Sequence, residues 1–343
     1  MTNPLVIAVD GGGSKTDVAL VRGNGEALAL VRGPSSHAHH VGVEGSLDVI
    51  AGLLDEALAD AQLASSDGAF AEVAAFTLAG ADSPADEEAL TAAAKARGWS
   101  SRTIVLNDTF AILRAGTTRG WGVAITCGAG INCVGVAPDG RHARFPSLGW
   151  ISGDWGGGFD LGRDAVFAAA RSEDGRGPRT SLERVVPAYF GLATPTELAE
   201  AMHYGRVPQR RVIELAPLVL AEAQADPVAA EIVSHLADEV VALARVALTR
   251  LDLANEPVEV LLGGGVLQDV DGDLLAAINA GLAEIGSQIT VRPTASPAII
   301  GAALIGLDEL GADDDTQKRL RRELGAAFAR LDGVPDSGRS NGG

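Results

Sequence analysis

The chain opens on an apolar run at residues 5–9, followed by alternating apolar and polar positions at 17–21 and 27–31. Alternation with a period of two predicts strands, and Gly23-Asn24-Gly25 supplies a turn between the second and third. From residue 46 to 62 the period changes. Leu47, Ile50, Leu54, Leu58 and Ala61 recur at helical spacing, with Ser46 as the expected N-cap. Residues 72–78 read as a strand. Ser83-Pro84-Ala85-Asp86 reads as a helix start, with proline in the first turn and acids behind it. A strand at 102–106 leads straight into a short helix from Thr109.

The same order then recurs. Residues 121–126, 134–137 and 141–145 read as three strands, the last two joined at Pro138-Asp139-Gly140. Helices and loops fill about 155–255. In the longest helix Asp226 caps, Pro227 opens, and Val228, Ile232, Leu236, Val240 and Leu243 share a face. A strand at 257–262, a helix after Gly263-Gly264-Gly265, a strand at 288–291 and a helix at 297–307 complete the second copy. Two copies of one βββαβαβα plan imply duplication, with an active site expected between the copies. Beyond them, 313–331 reads as an amphipathic helix whose Lys318, Arg319, Arg321 and Arg322 form a solvated basic face. The polar, glycine-rich residues 333–343 are expected to be disordered.

Composition narrows the function classes. A chain of 343 residues can bury two cores, and although 47% of it is hydrophobic no apolar run approaches 18 residues, which argues against a membrane span. The first residues show no basic segment followed by an apolar one, so a cytoplasmic protein is expected. A net charge of −18 argues against a nucleic-acid partner, so any anionic ligand must be held by local donors or a metal ion. Cys127 and Cys133 are the only cysteines, and two buried thiols are expected rather than a disulfide.

The chemistry concentrates in two glycine-rich turns. The first is Asp10-Gly11-Gly12-Gly13-Ser14-Lys15-Thr16 and the second Cys127-Gly128-Ala129-Gly130-Ile131-Asn132-Cys133, each between two strands. Glycine permits positive φ and close backbone approach, so such turns can aim several N–H groups at one anion. The first turn is not a P-loop: Ser14 rather than glycine precedes Lys15, and a strand rather than a helix follows. Asp10 would hold Mg²⁺ directly or through water while the amides and hydroxyls of 11–16 face phosphates; an ordinary tight hairpin is the alternative. Gly263-Gly264-Gly265-Val266 suits an adenine ring lying against bare backbone. Asn107-Asp108-Thr109 ends a strand and points into the expected cleft, where Asp108 could also serve simply as the N-cap of the helix behind it.

In this set and order the motifs over about residues 4–308 resemble the sugar-kinase, Hsp70 and actin superfamily, and within it the BadF/BadG/BcrA/BcrD ATPase and N-acetylglucosamine kinase family. The resemblance implies an α/β fold of two ribonuclease H-like (actin-like ATPase) domains, 1–115 and 116–310, with a central cleft and a helical insertion in the second. It implies ATP and Mg²⁺ as cofactors and a small sugar as substrate. Gly11 to Thr16 and Gly128 to Gly130 become phosphate segments, Gly263 to Val266 the adenosine segment, Asp108 the base, and Asp10 and Asp108 the metal residues. Sugar contacts are implied at Asn107, Asp108, Gly130, the Ser36-His37 loop, and the Gly149-to-Asp154 segment. The small residues of 296–303 resemble a hinge segment.

N-acetylglucosamine kinases of the family usually continue Gly-Asp-Glu-Gly-Ser, whereas this chain reads Gly153-Asp154-Trp155-Gly156-Gly157-Gly158. That form, with Phe159-Asp160-Leu161-Gly162 and the long insertion, looks like bacterial glucosamine kinases. Asp154 and Asp160 are candidate partners for a cationic amine. N-acetylglucosamine stays open as the alternative substrate, an ATPase activator and a sugar sensor as more distant ones, and a homodimer as a possible assembly.

Overall fold

The computed structural model describes residues 3–64, 68–270 and 272–333. Contacts divide the chain into two units: Trp121–Ala295 form unit 2, and the described residues up to Gly120 and from Ser296 form unit 1.

Unit 1 is built on a five-stranded sheet of β1 (Leu5–Gly11), β2 (Lys15–Arg22), β3 (Ala27–Pro34), β4 (Ala71–Leu78) and β5 (Ser100–Asn107), in the order β3-β2-β1-β4-β5. The first three strands form antiparallel hairpins, and β4 and β5 run parallel to β1. Val6, Ile7, Ala8 and Val9 are fully buried because both faces of the sheet are covered. Ile7, Val9, Val18 and Leu20 pack in one core with α1 (Ala38–Asp60) and α2 (Pro84–Ala96). Val6, Ala8, Ala19 and Val21 pack in another with α10 (Ala298–Asp308) and α11 (Asp314–Asp332). The helix expected from Ser83 is formed, and it opens on a capping box in which Ser83 and Asp86 each bond the other's backbone.

Helix α1 departs from expectation. It begins at Ala38, capped by His37, and breaks at Gly42 (φ 77°). Ser46 lies inside it, buried, with no hydrogen-bond partner for its hydroxyl, so it is not the cap. Two histidines and two glycines in the first turns hid the helical period.

Unit 2 repeats the sheet. β6 (Gly122–Cys127), β7 (Ile131–Val136), β8 (His142–Arg144), β9 (Glu259–Gly263) and β10 (Thr290–Pro293) lie in the order β10-β9-β6-β7-β8. β6 to β8 are antiparallel hairpins and β9 and β10 are parallel companions of β6 and β9. Read from the hairpin edge, this is the unit 1 topology, as duplication requires. Between β8 and β9 lie α4 (Gly157–Glu173), α5 (Leu182–Tyr189), α6 (Pro195–His203), α7 (Ala216–Glu222) and α8 (Pro227–Arg250). Asp226 caps α8 through the amides of Val228 and Ala229. The buried face of α8 is turned from the expected one: Leu236 and Val240 are buried together with Ala229, Ala237, Ala244 and Ala247, while Val228, Ile232 and Leu243 sit at its edge. Cys127 and Cys133 are buried free thiols. Cys127 pairs with Ile131 and Cys133 with Ile125, so the two are out of register for a cross-strand disulfide.

Two further expectations change. Residues 265–269 form successive turns, and α9 starts only at Gly272 (Gly272–Ala283). Gly264 is left-handed (φ 82°) and its carbonyl accepts from both Leu267 and Gln268, which spends the chain on turns. The domain boundary at 310 is also replaced: α10 belongs to unit 1 rather than to the second half. Its small residues allow this, since a Cβ on Gly301 would lie 1.9 Å from the carbonyl oxygen of Ala111 in α3 (Asp108–Gly116), and one on Gly306 2.4 Å from Val6. Gly301 thus serves close packing against α3. The expected basic face of α11 is partly spent as well, because Arg321 donates to the carbonyls of Arg114, Ala115 and Thr117 at the end of α3. The tail expected at 333–343 lies outside the described residues except for Gly333. Among the described residues no helix is long and apolar enough to cross a membrane.

Candidate active site

In unit 1 the parallel register sets Gly11, Leu78 and Asn107 side by side at the ends of β1, β4 and β5. Strand carboxyl ends are where open α/β sheets bind ligands. Asp10 and Asp108 flank that row. Asn107, not Asp108, caps α3: its Oδ1 accepts from the Thr109 amide at 3.0 Å, and its Nδ2 donates to Asp82 at 2.9 Å. The capping alternative for Asp108 is thereby taken by its neighbour. Burial pushes the largely buried Asp108 carboxyl up to about 6; the charge of Asp82 adds to this, and hydrogen bonding at the backbone of Thr109 and Asp108 opposes it. Asp82 was not singled out from sequence. Its signal was its place in the loop after β4, level with the other strand-end acids.

Asp10 is pushed up to about 8, first by burial and then by the charges of Asp108 and Asp17, with Lys15 and Arg32 opposing. Repulsion of this kind is relieved when a hard cation is bound by the carboxylates. Among the described residues no three His, Cys, Asp or Glu side chains could together hold a metal. One or two carboxylates completed by substrate phosphates is the usual arrangement for Mg²⁺, so the residues present fit that ion.

The hairpin tip is open at Gly13, Ser14 and Lys15, while the Gly12 amide is spent on the Lys15 carbonyl at 2.9 Å. Gly11, Gly12 and Gly13 do not adopt left-handed φ. At Gly11 the requirement is space: a Cβ would meet Ser36 Oγ at 2.5 Å and Leu78 at 2.6 Å. Thr16 and Ser36 are corrected as ligand contacts. Both are buried, and Thr16 Oγ1 donates to Ser36 Oγ at 2.9 Å, locking β2 to the loop after β3. His37 remains beside the tip, its ring stacked on His40 and 3.0 Å from where a Cβ on Gly80 would lie. The ammonium of Lys15 lies 5.3 Å from the centre of the Phe328 ring.

In unit 2 the second hairpin rests on the start of α4, where Gly158 and Phe159 donate their amides to the carbonyls of Gly128 and Ala129 at 2.8 and 3.0 Å. Gly156-Gly157-Gly158 makes this approach possible: a Cβ on Gly157 (φ 84°) would lie 2.5 Å from the Ala129 carbonyl oxygen. Gly264 packs similarly against Cys127, and the Val266 amide donates to the Cys127 carbonyl at 3.0 Å. By contrast, a Cβ on Gly128, Gly130 or Gly265 would meet nothing within 4 Å. Gly128, Gly265 and Val266 line an open pocket of about 910 Å³, together with Tyr189, Glu214, Ser234 and Asp273 among others. That volume lies within the range of small-molecule and cofactor pockets. Gly263 ends β9 beside Thr126. No sequence signal marked the insertion residues of this cavity.

The loop expected to contact a sugar holds Gly149 (φ 67°), whose carbonyl accepts from the amides of Ser152 and Asp154. Ser152 Oγ donates to the Asp154 carboxylate. Asp160 is corrected as an amine partner: it accepts from the Gly156 amide at 3.0 Å and pairs with Arg163 at 3.0 Å, so it secures the start of α4. Trp155 turns toward α8, stacked on His235 with ring centres 3.9 Å apart.

The chain is 28% identical over 270 residues to a protein of Clostridium acetobutylicum named N-acetylmuramic acid/N-acetylglucosamine kinase, covering 78% of this chain and 86% of the relative. It is 26% identical over 316 residues to the N-acetyl-D-glucosamine kinase of Dictyostelium discoideum, covering 90% and 99%. The crystal structure of a candidate N-acetylglucosamine kinase from Chromobacterium violaceum matches with a TM-score of 0.67 at 24% identity, over 88% of this chain and 99% of that one, which establishes the two-domain actin-like fold. The family model described as the BadF/BadG/BcrA/BcrD ATPase family matches residues 7–306, and with the paired sheets and strand-end acids in place, the chain belongs to that family.

Proposed function

We propose that this protein is an ATP-dependent kinase that phosphorylates the 6-hydroxyl of an amino sugar, with glucosamine preferred. The observation that carries the reading is Asp108, an acid at the end of a parallel strand whose capping duty falls to Asn107. A sugar hydroxyl is a weak nucleophile, and Asp108 takes its proton as the oxygen attacks. Bound Mg·ATP supplies the γ-phosphoryl group and a divalent charge. Asp10 is proposed to hold the ion, the amides of Gly13 and Ser14 to face the phosphates, and the cavity beside Gly265 to take the nucleoside. His37 and Asn107 are proposed to position the sugar.

Support for glucosamine over its N-acetyl form is narrower than in the sequence, since Asp160 is spent within α4 and leaves Asp154 as the acid for the amine. Trp155, standing where N-acetylglucosamine kinases usually carry an acid, is engaged with α8. The names of both relatives favour the second reading, N-acetylglucosamine. Measuring ADP release against both sugars decides: a higher kcat/KM for glucosamine supports the first reading, a higher one for N-acetylglucosamine the second.

A further inference from the structure

We infer that helix α11 belongs to the nucleotide-handling apparatus of unit 1, and that Phe328 is a positioning residue for the phosphate hairpin, acting through Lys15 and Arg32. The inference rests on the proposal that residues 10–16 handle Mg·ATP. One ring carries two cations: Lys15 Nζ lies 5.3 Å and Arg32 Cζ 4.7 Å from its centre. Both cations are tied to the hairpin. Lys15 is the first residue of β2 after the tip, and Arg32 grips Asp17 with two bonds of 2.6 and 2.9 Å. Asp17 is buried and directly opposite Asp10 in the β1–β2 register.

An aromatic face suits this place for a physical reason. It attracts two like charges without neutralising either, where a carboxylate would compete with Asp17 for Arg32 and an aliphatic side chain would attract neither. The ring's position is also fixed. Leu320, Leu324 and Phe328 recur every fourth residue, and the two leucines are fully buried in the core shared with β1 and β2. Glu323 accepts from the Ala27 amide of β3 at 3.1 Å, and Arg321 holds the end of α3, the helix that Asp108 begins. The family match ends at residue 306, before α11 begins.

Calorimetric titration of Mg·ADP into the full-length protein tests the inference, comparing wild type with Phe328→Leu, which keeps apolar bulk, and Phe328→Trp, which keeps an aromatic face. The expected result is affinity weakened roughly 3- to 10-fold in Phe328→Leu and near wild type in Phe328→Trp, with similar melting temperatures for both variants. Equal affinities in all three proteins, or equal losses in both variants, would overturn it. A wild-type protein that fails to bind Mg·ADP would overturn the kinase reading itself and this inference with it.

Discussion

Asn107 Nδ2 donates to Asp82 Oδ1 at 2.9 Å, so the residue that caps α3 also fixes a second acid beside Asp108. The charge of Asp82, after burial, helps to push the Asp108 carboxyl up to about 6. A general base works only when ionised, so the limb of kcat/KM that Asp108 governs should rise as pH climbs through about 6. Asp82→Asn keeps an acceptor for Asn107 but removes the charge, and should move that limb to lower pH by roughly half a unit to one unit. A pH–rate profile identical to wild type would contradict the coupling.

Gly264 and Gly265 are adjacent but are glycine for different reasons. A Cβ on Gly264 would strike the Cys127 backbone at 2.5 Å from a left-handed residue, whereas one on Gly265 projects into open space at the cavity. Gly264→Ala should therefore lower the melting temperature by several degrees, as expected for a loss of about 1–3 kcal/mol. Gly265→Val should leave melting unchanged and raise KM for ATP by roughly tenfold or more, if the cavity takes the nucleoside. Thermal melts and ATP titrations of the pair separate the two roles; equal effects on melting would contradict the assignment.

Asp226 predicts an acid-sensitive step in stability. Burial opposes its ionisation, but bonds from the Ser181 amide and the Thr180 hydroxyl, with the amides of α8, outweigh burial and hold the carboxyl at about 2. A depressed folded-state pKa stabilises the protein above the ordinary carboxylate range and loses that contribution as pH falls from about 4 toward 2. Asp226→Ala should cost about 2 kcal/mol at neutral pH and flatten this part of the stability–pH curve. Chemical denaturation of both proteins at pH 7 and pH 3 measures it; parallel curves would contradict the assignment.

The duplicated sheets were legible because period-two patterning and turn glycines are local signals, and Asp226-Pro227 announced α8 in the same way. The faults have a common physical origin in packing between distant segments. Nothing local to Gly301 says that it meets Ala111, so α10 was assigned to the wrong unit. Ser36 and Thr16 looked like open hydroxyls until their mutual bond appeared, and Asp160 looked available until Gly156 and Arg163 claimed it. Gly156-Gly157-Gly158 reads as a substrate signature, yet Gly156 and Gly157 are required by the approach of α4 to the second hairpin and Gly158 by the backbone of Ile213. The strand-end acids were visible, but the division of labour between Asn107 and Asp108 was not, because either residue type can cap a helix.

The most direct measurement is ATP-dependent ADP release with glucosamine and N-acetylglucosamine by the wild-type protein and by Asp108→Asn. The account predicts steady turnover of an amino sugar by the wild type, and a kcat lowered by about 100-fold or more in a variant that melts at the wild-type temperature. Near-normal turnover by Asp108→Asn, or no release of ADP by the wild type with either sugar, would contradict it.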